Sequence, residues 1–356
     1  MGMKKGTVPR ILKSHRARSV ACLSVTVVVV CAGFGGATAN AVPSIPGVTA
    51  EARSTDGSRI EGIEKVDDRN IRVKVYSAAM NRIISVEVQR PADASAPRPS
   101  LYLLNGAGGG EDAASWDASS DARQFMKDKN VNLITPIGGK FTYYTDWNKD
   151  DPALGRNKWR TFLTQELPPL MDTALRTNHV NAIAGISTSA TTVLALPIAA
   201  PGLYKAAAAY SGCAQTSDPL GSRFVRVAVA WGGGNAENMW GPVGSPEWSA
   251  NDPYVHADKL RGVDLYLSSG NGMPGKYDTL NGAHALPGAG GLADQVLLGG
   301  LIESAANFCT HNLQTKLASL GIPVTYHSSA GTHSWGYWQD EFKRSWPVLA
   351  HGLGLS

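Results

Sequence analysis

Few charged residues, few cysteines and several missing motifs set the first limits on this chain. Charged residues make up 17% of its 356 positions against 43% hydrophobic. That balance excludes a disordered, charge-rich chain and supplies apolar surface for one large core or two ordinary ones. There is no C-x-x-C and no H-E-x-x-H, so neither a zinc site nor a metalloprotease is suggested. The glycine-rich stretch "NGAGGGED" lacks the G-K-[ST] ending of a P-loop, which argues against a phosphate cradle. No internal repeat is visible, and past residue 41 no segment reads as a membrane span.

What is present begins with a leader. Lys4, Lys5, Arg10, Lys13, Arg16 and Arg18 occur in the first 18 residues with no acid among them, followed by the apolar run "SVACLSVTVVVVCAGFGG" and the small-residue stretch "ATANAV". Residues 1–41 read as a secretory signal with Ala39 and Ala41 forming the cleavage signal; an uncleaved membrane anchor is the alternative. Removing those six basic residues from the 33 leaves 27 Lys and Arg against 29 Asp and Glu, a net of −2. The basic whole-chain pI therefore belongs to the leader, and no electrostatic footprint for nucleic acid remains. Cys22 and Cys31 leave with it, so Cys213 and Cys309 are the two cysteines of the exported chain and are expected to pair.

Residues 42–59, which include "PSIPGVTAEARSTDGS", read as a flexible N-terminal extension, and residues 60–356 as the folded domain. "IRVKVYSAAMNRIISVEVQRP" has β-branched alternation broken by a turn and reads as a hairpin, while "RPSLYLLNGAGG" and "VNLITPIGG" read as buried strands. "ASWDASSDARQFMKDKN" and "KWRTFLTQELPPLMDTAL" carry helical patterns. "HVNAIAGIS" reads as a strand, "TSATTVLALPIAAP" as a helix, and "YKAAAAYSG" and "RGVDLYLSSGNG" as further strands. This alternation predicts an α/β fold, a mostly parallel sheet with helices on both faces.

"AGISTSA" lies at the junction of such a strand and helix, and reads as G-x-S-x-S with Ser189 where a nucleophile elbow usually has glycine. An elbow serine needs this setting, because Oγ must project from the sheet edge while the next N–H faces the developing oxyanion. Ser187 is thus the candidate nucleophile, and a plain helix N-cap serine is the alternative. A second oxyanion donor is expected from the "LLNGAGGG" loop, at Ala107. In this fold the base follows the acid in chain order, which points to His333 in "AGTHSWGYW" ahead of His179, His284, His311 and His327. Spacing leaves two acids open, Asp278 after "SSGNG" and Glu303 about thirty residues before His333.

Seven runs, "YLLNGAGGGEDAASWD", "TPIGGKFTYYTDW", "KWRTFLTQELP", "AGISTSA", "ENMWGPVGSPEWSANDP", "SSGNGMPG" and "GTHSWGYW", resemble in order and spacing the secreted mycoloyltransferases of the antigen eighty-five type. The similarity spans roughly Ile60 to Gly352. The resemblance implies an α/β-hydrolase fold without a lid and a triad of Ser187, Glu303 and His333, which favours Glu303 over Asp278. It implies backbone N–H groups of Ala107 and Thr188 in the oxyanion hole, and Trp335 beside the sugar site. It also implies transfer of a mycoloyl group from trehalose monomycolate to a sugar hydroxyl, trehalose or cell-wall glycan, with no metal or organic cofactor. Family members from mycobacteria carry an Asp and an Arg where this chain has Asn105 and Gly108, and an uncharged loop cannot make the same charge-assisted bonds to sugar hydroxyls. A secreted carboxylesterase, passing the acyl group to water, and a non-catalytic wall- or matrix-binding relative are the competing readings.

Overall fold

The computed structural model describes residues 45–355, so the expected leader lies outside the described residues. Among the described residues nine strands form a single sheet in the order β1-β2-β3-β5-β4-β6-β7-β8-β9. They are β1 (Arg59–Lys65), β2 (Asn70–Ser77), β3 (Arg82–Gln89), β4 (Ser100–Leu104), β5 (Asn132–Ile137), β6 (Asn181–Ile186), β7 (Tyr204–Tyr210), β8 (Asp264–Gly270) and β9 (Thr325–Ser329). β1, β2, β3 and β5 pair antiparallel, and from β5 to β9 every pairing is parallel. The hairpin expected between residues 71 and 91 is β2–β3 in continuous register from Asn70↔Gln89 to Ser77↔Arg82.

The period-2 pattern of the central strands distributes side chains to two cores, one on each face. In β4, Tyr102 and Leu104 enter one core while Leu101 and Leu103 enter the other. In β7, Ala207 and Ala209 face the first, and Ala206, Ala208 and Tyr210 the second. The helices α1 (Trp116–Ser119) and α2 (Ala122–Met126) follow β4, and α3 (Trp159–Thr161) and α4 (Leu167–Leu175) precede β6. α5 (Thr188–Ala199) joins β6 to β7. Between β7 and β8 lie α6 (Pro219–Trp231), α7 (Ala236–Trp240) and α8 (Pro246–Ala250), and between β8 and β9 lie α9 (Gly288–Asp294) and α10 (Gly300–Ser319); α11 (Trp335–Gly352) closes the chain. Residues of α4, α5 and α10 contribute to the first core, and residues of α1, α2 and α11 to the second.

One local expectation is refined and another corrected. The segment 158–175, expected as one helix, is helical from Trp159 to Leu175, with a π-helical turn at Phe162–Glu166 between α3 and α4. Pro168 and Pro169 follow that turn and can donate no backbone hydrogen bond into it. The described part of the expected flexible extension, residues 45–58, packs against the domain instead. Ile45 and Ala52 are buried in the first core, Thr49 N–H donates to Ala174 O at 2.9 Å, and Ile60 N–H to Ala52 O at 3.1 Å. A Pro/Ser/Gly-rich composition conceals such a segment, because two apolar side chains and two backbone bonds suffice to anchor it.

Candidate active site

β6 ends at Ile186 and α5 begins at Thr188, so the chain reverses on the single residue Ser187. Its backbone sits at φ 55°, ψ −123°, a conformation that L residues seldom adopt and that persists only when the surroundings impose it. An N-cap serine has extended backbone and bonds the helix N–H groups, whereas Ser187 makes no such side-chain bond. Ser187 thus occupies the N-cap position of α5 without capping the helix through its side chain. Gly185 is required beneath the turn, since a Cβ there would lie 2.6 Å from Ser189 Oγ and 3.1 Å from Ser189 O. Ser189, at the position where glycine is usual, is buried and closes the turn: its Oγ accepts from Ile186 N at 3.0 Å and donates to Ile186 O at 2.9 Å.

Ser187 Oγ lies 2.9 Å from His333 Nε2, and His333 Nδ1 lies 2.7 Å from Glu303 Oε2. The three side chains come from the β6–α5 turn, the loop between β9 and α11, and α10, and converge at the carboxyl ends of the parallel strands. Ser187 and His333 are partly exposed, while Glu303 is fully buried. Burying a carboxylate is costly without partners. Glu303 has them: Oε1 accepts from Ser211 Oγ at 2.7 Å and from Gly270 N at 2.5 Å, leaving Oε2 for the histidine. Ser211, itself at φ 55°, receives the indole N–H of Trp338 at 2.9 Å. Trp338 also meets the His333 ring edge to face at 4.8 Å between centroids. Ser211, Gly270 and Trp338 escaped sequence reading; the first lies in "YSG" directly after β7, a position resembling that of Ser187 after β6.

The loop after β4 lies against the serine: a Cβ on Gly106 would stand 3.6 Å from Ser187 Cβ. Ala107, in the same loop, fixes its carbonyl on Phe141 N at 2.7 Å. Thr188 is the first residue of α5, and an N–H there precedes the helix's own hydrogen-bond ladder. Asn105, at the end of β4, is fully buried, and its Oδ1 accepts from Trp116 N at 3.0 Å. Gly108 sits beside the exposed carboxylate of Asp112. Trp335, half-buried at the start of α11, packs edge to face on Trp116 at 5.5 Å and Trp338 at 5.2 Å, extending an aromatic row up to His333.

Asp278 does not join this cluster; its carboxylate is occupied elsewhere, by Thr332, Tyr337, Gln295 and Gly275. Cys213 and Cys309 form the expected disulfide, 96 residues apart in sequence. A polar cavity of about 450 Å³ between α3, α5 and residues 250–259 contains none of Ser187, Glu303 or His333. Its Asp146, Arg160 and Asn251 already hold one another. Among the described residues no His, Cys, Asp and Glu side chains cluster as metal ligands, and no helix is long and apolar enough to cross a membrane.

Residues 77–348 match the model of a family described as putative esterase. The diacylglycerol acyltransferase/mycolyltransferase Ag85B of Mycobacterium avium is 31% identical over 341 residues, covering 90% of this chain and 93% of its own. The chain belongs to the Ag85 acyltransferase/mycolyltransferase family. The Ag85A protein of Mycobacterium tuberculosis agrees, at 30% identity over 298 residues and 80% of this chain. The fold is likewise shared with the solved Mycobacterium tuberculosis MPT51 (FbpC1), at a TM-score of 0.63 and 21% identity over 79% of this chain and 97% of that one. The resemblance carried by seven short runs and the α/β-hydrolase fold it implied are both borne out.

Proposed function

We propose that this Ag85-family member is an exported, envelope-associated mycoloyltransferase working through a Ser187 acyl-enzyme. The observation that carries the reading is the continuous chain from Ser187 Oγ to His333 to Glu303, at 2.9 and 2.7 Å, on a strained strand-to-helix turn. His333 Nε2 takes the Ser187 proton as Oγ bonds to the acyl carbon of trehalose monomycolate. The backbone N–H groups of Ala107 and Thr188 face the oxyanion. As the intermediate collapses, the bond from acyl carbon to trehalose oxygen breaks and His333 returns its proton to the departing hydroxyl. A second sugar hydroxyl, deprotonated by the same histidine, takes the acyl group and regenerates the serine. Glu303, buried and held by Ser211 and Gly270, orients the ring and stabilises the imidazolium.

One observation favours a greater share of hydrolysis than in relatives that carry an Asp and an Arg in the loop after β4. Asn105 is turned to Trp116, and Gly108 has no side chain, so these two positions offer no charged grip on an acceptor sugar. The test is purified protein with trehalose monomycolate, with and without added trehalose, followed by mass. Dimycolate formation that disappears in Ser187→Ala supports the reading, with a loss of about a thousandfold or more. Turnover that persists in Ser187→Ala refutes it, and free mycolic acid as the sole product assigns the protein as an esterase.

A further inference from the structure

Asp278 is buried, and every one of its acceptor positions is used. Oδ1 receives Thr332 Oγ1 at 2.5 Å and Gln295 Nε2 at 2.8 Å; Oδ2 receives Gly275 N at 2.8 Å and Tyr337 OH at 2.6 Å. A carboxylate has about four lone-pair sites, so none is left for a catalytic histidine. The four donors belong to four different pieces of chain. Gly275 lies in the loop after β8. Gln295 opens the π-helical turn Gln295–Gly299, which runs directly into α10 and Glu303. Thr332 is the residue before His333, and Tyr337 stands in the first turn of α11.

We propose that Asp278 is a positioning residue for the reaction: it fixes the His333 segment against the Glu303 segment, so that the base and its acid meet at the required distance. The inference rests on the reading of Ser187, His333 and Glu303 as the reacting unit. Around Asp278, Gln295 also bonds Tyr277 O at 3.3 Å and Leu286 N at 2.9 Å, and Tyr277 N donates to Tyr337 OH at 3.2 Å. Besides the His333–Glu303 contact itself, the two segments share a longer backbone bond, His333 N to Gly299 O at 3.2 Å. One carboxylate oxygen thus holds both the residue before the base and the turn leading to the acid's helix. Asparagine cannot replace it, because its amide nitrogen would face Gly275 N–H on one side or the Gln295 amide on the other.

The test counts active sites and then measures rate per site. Ser187 is titrated with a fluorophosphonate probe, and kcat and KM for an acyl ester are referred to the labelled fraction. Asp278→Asn is expected to lower kcat per labelled site about 10- to 100-fold with KM little changed, the scale of a small misplacement of a catalytic group. Thr332→Val should give a smaller loss, and the double variant should be no worse than Asp278→Asn alone. Glu166→Gln is the control. It breaks a buried clamp on Ser77 and Ala79 at the β2 end of the sheet, and should lower Tm while leaving the rate per site intact. If Asp278→Asn fails to fold, Thr332→Val and Tyr337→Phe answer the same question. Wild-type rate per labelled site in these variants overturns the proposal, as do fully additive losses. Labelling and turnover that survive in Ser187→Ala would instead sink the underlying site reading.

Discussion

Breaking the Cys213–Cys309 bridge is expected to cost stability far more than chemistry. The bond closes a loop of 96 residues. In the chain-entropy description a loop of that length constrains the unfolded chain by about 4.7 kcal/mol. Spread over the unfolding entropy of a domain of roughly 300 residues, near 2.1 cal/mol/K each, this corresponds to a fall in Tm of about 7 °C. The bridge also sits close to the site, two residues from Ser211 and six from Glu303. Other contacts back it up, however: Thr310 Oγ1 donates to Gly212 O at 3.1 Å, Asn312 Nδ2 to Gln215 Oε1 at 2.8 Å, and Thr191 Oγ1 to Cys213 O at 2.8 Å. The Ser211–Glu303 contact should therefore survive reduction at 25 °C, with a rate only modestly lowered. Calorimetry of the purified protein with and without reductant, alongside the Cys213→Ala/Cys309→Ala double variant, measures the first effect. A transesterification assay on the same samples measures the second. An unchanged Tm, or two freely alkylated cysteines in non-reducing peptide maps, would refute the reasoning; a collapse of activity without a change in Tm would show that the bridge acts on the acid directly.

Ser211→Ala removes one of two donors to Glu303 Oε1 and strands the Trp338 indole N–H. A hydrogen bond to a charged group is worth about 1.5–3 kcal/mol, so kcat should fall by about ten- to a hundredfold, and an unchanged rate would mean that Gly270 N alone holds the acid. For Asp278, burial alone would raise the carboxyl, but hydrogen bonds from Thr332, Tyr337, Gly275 and Gln295 outweigh it and hold the group below its ordinary range. A depressed folded value means stability that is complete above about pH 4 and lost as pH falls further. Melting curves of the wild type should therefore drop more steeply below that pH than those of Asp278→Asn, and parallel curves would count against it. Asn105→Asp with Gly108→Arg should lower the apparent KM for trehalose, the new side chain displacing the exposed Asp112 carboxylate; an unaltered KM would place the sugar elsewhere, against Trp335.

Much of this architecture is legible residue by residue. The alternation in "LYLL" and "KAAAAY" assigns side chains to two opposite cores, and the order strand, Ser187, helix places the serine at a sheet edge, because both follow from the local periods of backbone geometry. Cysteine counting foresees the disulfide for a similar reason: only two cysteines remain to pair once the leader is set aside. Composition misleads for residues 45–58, where Ile45 and Ala52 reach the core from a polar stretch. The choice between Asp278 and Glu303 lies beyond any spacing argument, since both precede His333 at plausible distances along the chain. The two carboxylates differ in three dimensions by which has an acceptor position left: Asp278 spends its four on loop and helix donors, while Glu303, fed by Ser211 from 92 residues away, keeps Oε2 beside the histidine. Local propensity reads along the chain, but a hydrogen-bond balance is settled only among the neighbours that folding brings together.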